Sequence, residues 1–142
     1  MNVAPETLEV LRVWVRKAEH DLEAARRIMA VEAGCPYDTV CFHCQQACEK
    51  YLKSLLTLCG IHAPRTHDLE EIFRLLPPAV RPEVEVAELS SLNPYAVDVR
   101  YADDWREPQR ADAIRAMEIA GNLRNAVRRT LAPQVPWPLI GP

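Results

Sequence analysis

From Thr7 onward the apolar residues Leu8, Leu11, Val15, Ala18, Leu22, Ala25 and Met29 recur at alternating steps of three and four. That spacing draws one unbroken apolar stripe along a helix of about 3.6 residues per turn. A strand cannot use it, because strand faces alternate with a period of two. Glu6, Arg12, Arg16, Lys17, Glu23 and Arg27 fall off the stripe, and Gly34 with Pro36 supplies a stop. The first helix is therefore expected to end near Glu32.

A second helix is predicted from about Tyr37 to Cys59, where Gly60 ends it. Its seam is Cys41, Cys44, Cys48, Tyr51, Leu55 and Leu58, with Leu52, Leu56 and Cys59 beside it. So wide an apolar arc implies more than one packing neighbour. His43, Gln46, Lys50, Lys53 and Thr57 recur at helical spacing on the opposite face, which reads as solvated.

Thr66 is expected to cap a short third helix reaching Leu76, with Asp68, Glu70 and Glu71 in its first turn. Pro77 and Pro78 stop it. A weaker fourth helix is predicted over Glu83–Leu92, broken before Pro94, and a loop follows through Pro108. The last helix spans roughly Gln109–Leu131, with Ala113, Ala116, Ala120, Leu123, Val127 and Leu131 turned inward. These elements define an all-α, up-and-down helical bundle over residues 5–132, followed by a proline-rich C-terminal tail at 133–142.

At 142 residues the chain is long enough for one core and too short for two. A formal charge of -3 argues against non-specific coating of nucleic acid, which rests on neutralising many phosphates. No segment reaches the length of a membrane span and no signal core follows the N-terminus, so a cytoplasmic location is expected. Five cysteines is an odd count, and three of them share one predicted helix, which fits free thiols in a reducing compartment. Cys41, Cys44 and Cys48 are expected to pack as small apolar groups and to bind no metal, and no cofactor is expected.

The segment Cys41-Phe42-His43-Cys44-Gln45-Gln46-Ala47-Cys48-Glu49-Lys50-Tyr51-Leu52-Lys53-Ser54-Leu55-Leu56, then Gly60 and Thr66-His67-Asp68-Leu69, resembles the signature of the HEPN domain family. Asp21-Leu22-Glu23-Ala24-Ala25 upstream and Asn93-Pro94-Tyr95 with Val99-Arg100-Tyr101 downstream extend the resemblance over about Val13 to Val127. It implies a bundle of about five helices that pairs as a homodimer. It also implies a minimal nucleotidyltransferase subunit as partner, often in a toxin-antitoxin pair, and association with a nucleotide or RNA. Relatives that are RNases use an arginine and a histidine separated by roughly four to six residues. No arginine here is followed by a histidine with four to six residues in between, and Arg100 is followed by Tyr101-Ala102-Asp103-Asp104-Trp105-Arg106. Catalysis is therefore not carried over with the resemblance.

The candidate nucleotide-binding residues are Arg100, Tyr101, His43, Gln46, Lys50 and Lys53. Arginine clamps a phosphate bidentately, a phenol stacks or donates, and the helix face adds ammonium groups and an imidazole. Phe42 lies beside that face and suits a partner or stacking surface. His67 is read as fixing the turn after Pro64, with a general base as the sharper alternative. Arg106, Arg110, Arg115, Arg124, Arg128 and Arg129 stand against Glu83, Glu85, Glu88, Asp98, Asp103 and Asp104, an asymmetry that steers a partner or simply pairs within the chain. A divergent metal-independent RNase and an interaction scaffold without a ligand are the alternatives. Arg100→Ala is expected to lose about 1.5 to 3 kcal/mol of nucleotide or RNA affinity, read by calorimetric titration, with thermal stability nearly unchanged.

Overall fold

The computed structural model describes residues 3–96, 106–133 and 135. Among these residues five α-helices carry the fold: α1 (Pro5–Met29), α2 (Tyr37–Leu58), α3 (Leu69–Leu75), α4 (Val86–Ser90) and α5 (Arg110–Leu131). Short 3-10 turns occupy Pro78–Val80 and Asn93–Ala96, and there is no strand among the described residues.

The stripe on α1 is the buried one: Leu11, Val15, Ala18, Leu22 and Ala25 all lie in the core. Pro5 opens the helix, where its missing N–H costs nothing. The helix ends at Met29, three residues before the expected Glu32, because the stripe has run out. Val31 is 47% exposed, so no burial holds another turn.

Helix α2 runs antiparallel to α1, as the pairs Asp21 with Lys50 and Glu19 with Tyr51 show. Helix α5 runs parallel to α2 on its other flank, with Cys44 beside Met117 and Arg124 level with Tyr51 through Glu19. Thus α2 is the centre of the bundle, and only a narrow strip around His43, Gln46, Lys50 and Thr57 reaches the surface. A Schellman motif ends it: Ile61 N–H donates to Leu56 O and Gly60 N–H to Thr57 O. Gly60 takes φ 71°, which a side chain would resist.

Three further expectations are corrected. Asp68, not Thr66, caps α3, its carboxylate accepting from Glu70 N–H and Glu71 N–H, while Thr66 accepts from Asp68 N–H. The predicted Glu83–Leu92 helix is the single turn Val86–Ser90, since Leu89 and Leu92 are the only residues of that stretch sunk in the core. Lys53, read as solvated, is buried. The last helix matches its prediction, with Gln109 and Asp112 forming a capping box.

Cys41, Cys44 and Cys48 are fully buried on the seam, and Cys35 and Cys59 are half-buried. Burial pushes the Cys41 thiol up to about 11 and the Cys44 thiol up to about 12. Cys48 is raised for the same reason, and Tyr51 by burial and then by the Glu19 carboxylate that accepts its hydroxyl. The folded chain holds these protons more tightly than the unfolded one, so their contribution is complete below about pH 9 and is lost as pH rises toward 12. Urea unfolding should therefore show stability falling from pH 9 upward, by about 1.4 kcal/mol per pH unit for each group in its window. Cys44→Ala should cost ~1 kcal/mol at neutral pH and make that alkaline fall shallower.

Candidate functional site

The outer strip of α2 is flanked by two clusters of the same composition. On the α1 side, Asp21 accepts from His43 Nδ1 at 2.9 Å and from Lys50 Nζ. On the α3 side, Glu49 accepts from His67 Nδ1 at 2.7 Å and from Lys53 Nζ at 3.0 Å. Each carboxylate thus holds one imidazole and one ammonium group. Helical geometry produces this, because residues 43 and 50 are two turns apart on one edge, and 49 and 53 one turn apart on the other.

The two clusters differ in depth. Asp21, His43 and Lys50 retain 13%, 26% and 21% of their side-chain exposure, so water still reaches them. Glu49 and Lys53 retain only 6% and 8%, and His67 covers them from a 63% exposed position. Lys53 also places its ammonium 5.7 Å from the centroid of the Trp14 ring on α1, a cation–π contact. Gln45, fully buried, donates to the carbonyl of His67 and accepts from Gln46, fixing the turn that carries the imidazole.

With Nδ1–H facing a carboxylate oxygen, each imidazole directs Nε2 away from the cluster. The lysine charges are matched by the two carboxylates, so the strip is built for orientation more than for attraction of a polyanion. Phe42 meets His43 edge to face at 5.6 Å and closes the upper end of the strip. Arg100 and Tyr101 lie outside the described residues. Among the sequence candidates the structure brings His43, Gln46, Lys50 and Lys53 onto one face, and adds Asp21, Glu49, His67 and Trp14.

A third carboxylate acts structurally. Glu19 Oε1 accepts from the Tyr51 hydroxyl at 2.6 Å and from Arg124 Nε at 2.7 Å, joining α1, α2 and α5 through one oxygen. Arg115 pairs with Glu88 at 2.6 Å, so part of the expected charge asymmetry is spent within the chain. No group of three or more His, Cys, Asp or Glu able to hold a metal ion occurs among the described residues. No helix among them is long and apolar enough to cross a membrane.

The family model of the HEPN domain matches residues 11–130, and the chain belongs to that family. Its fold is similar to the crystal structure of TT1696 from Thermus thermophilus, with a TM-score of 0.71 and 26% identity over 85% of this chain and 98% of that one. It is also similar to ST0689, an archaeal HEPN homologue, with a TM-score of 0.66 and 27% identity over 85% of this chain and 97% of that one. No curated protein matches the sequence.

Removing Glu49 leaves a buried ammonium without its carboxylate, so Glu49→Ala should cost about 3 to 5 kcal/mol in denaturant unfolding. The paired replacement Glu49→Leu with Lys53→Met should recover most of that loss. Glu23→Ala, which breaks exposed pairs to Arg26 and Arg27, should cost less than about 1 kcal/mol.

Proposed function

We propose that the chain is the homodimeric helical partner of a minimal nucleotidyltransferase subunit in a toxin-antitoxin-like pair, and that it holds a nucleotide or an RNA end on the outer strip of α2. The observation that carries this reading is the preparation of the strip. Two carboxylates rooted at the edge of the core fix His43, Lys50 and His67 before any ligand arrives, with Lys53 held beneath them, and preorganised polar groups lose little entropy on binding. Gln46 between the clusters adds an amide that can donate to and accept from ribose hydroxyls. Membership of the HEPN family supports the partner and the dimer.

In this reading Arg100 and Tyr101 supply the phosphate contact that the charge-balanced strip does not. A second reading, a metal-independent RNase, is favoured by one observation: a carboxylate orients each of His43 and His67, as a general base requires. Arg100 would then stabilise charge on the reacting phosphate.

Light scattering at tens of micromolar should give twice the chain mass, and a monomer would remove the dimer. Coexpression with an adjacent nucleotidyltransferase subunit should yield a stable complex, and separate elution would remove the partner. Affinity for a mononucleotide should fall only about three- to fourfold between 50 and 200 mM salt, as one phosphate contact dictates, whereas a loss of about a thousandfold would indicate a polyanion site. RNA cleavage abolished by His43→Ala or His67→Ala would establish the second reading.

A further inference from the structure

Below the two clusters, at the end of α2, the chain forms a groove of about 400 Å³. The Schellman motif creates it. Gly60 turns the chain back so that Ile61, His62 and Ala63 face Val10 and Trp14 of α1, with Thr57 beside them. No carboxylate among the described residues lines it, although the chain carries 20 acidic residues. Val10 is 48% exposed there, an apolar side chain that the bundle leaves uncovered.

We propose that this groove is a nucleobase subsite: the base of a nucleotide or RNA end stacks on the Trp14 indole, and its sugar-phosphate runs along α2 past Lys53. This rests on the nucleotide-binding reading above and gives that ligand an orientation. Trp14 is the aromatic side chain of the lining, and an indole can stack on a base of any kind. Lys53, tied to Glu49, sits against the same indole and connects the groove to the polar strip.

The hydrogen-bonding groups fit a base edge. The amide N–H groups of His62 and Ala63 have no partner among the described residues. The Thr57 hydroxyl donates to Lys53 O, which leaves its lone pairs for an exocyclic amine. An acyl chain or an apolar peptide side chain would use the walls and leave those groups unmatched. A lining without carboxylates among the described residues also suits a ligand with an anionic tail better than a basic peptide.

The test is titration of the full chain with AMP, CMP and ribose 5-phosphate, followed by tryptophan fluorescence and calorimetry, with Trp14→Phe assigning the signal among the three tryptophans. AMP should quench the wild type. Trp14→Ala should weaken AMP roughly tenfold, as loss of one stacking partner does, while ribose 5-phosphate binds unchanged and Trp14→Phe retains most of the affinity. Val10→Glu, a change at an exposed position, should weaken AMP without lowering the melting temperature, and it keeps the test open if Trp14→Ala fails to fold. AMP affinity unchanged in both Val10→Glu and Trp14→Ala would overturn the groove and leave the nucleotide reading standing. No binding of any of the three ligands, or of an RNA oligonucleotide, to the wild type would overturn both. If Trp14→Ala breaks the dimer or a partner complex and leaves AMP affinity intact, the groove is a protein interface and the proposal falls.

Discussion

Helix α2 is enclosed on both flanks, by α1 and α5, and every polar side chain it sends inward must find its partner inside the protein. An unmatched buried charge costs several kcal/mol, which is comparable to the whole stability of a domain of this size. Gln45, Glu49 and Lys53 meet that requirement through one another, His67 and Gln46. Tyr51 meets it through Glu19, which also takes Arg124 from α5. The bundle's register follows, because sliding any of the three long helices by one turn would separate these groups.

The same requirement shapes the surface. The carboxylates that balance buried or half-buried cations also hold the imidazoles beside them, so stability and site geometry share atoms. A face arranged in this way discriminates by direction of hydrogen bonds, with long-range attraction contributing little. Membership of the HEPN family fixes the fold and leaves the chemistry to the site.

Long periodic segments were legible from the residues alone. The stripe of α1, the seam of α2 and the alanine face of α5 follow from spacing, and all three are buried as read except for Leu8 and Met29, which are half-buried at the ends of the α1 stripe. The end of α1 and the extent of α4 were not, because each depends on whether a neighbour remains to cover the next turn. Lys53 lay at the border of a wide apolar arc, where a long stem and a carboxylate one turn earlier allow burial that periodicity cannot anticipate. The pairing of Asp21 with His43 and Lys50 had a signal: an antiparallel hairpin folded about residues 30–36 sets Asp21 against that part of α2. Glu49 with His67, and Trp14 with Lys53, depend on the path of a loop and on helix rotation, which no local pattern encodes.

The five cysteines sort by depth into three sealed on the seam and two, Cys35 and Cys59, that water reaches. Those two bracket α2, one just before its first turn and one just after its last, so at 1.5 Å per residue they stand about 35 Å apart. The natural protein therefore carries a pair of attachment points at opposite ends of its central helix, while the sealed thiols resist the same reagents. Spin labels or dyes placed there would turn α2 into a ruler, reporting the crossing geometry of an assembly from distances between subunits without altering a single residue.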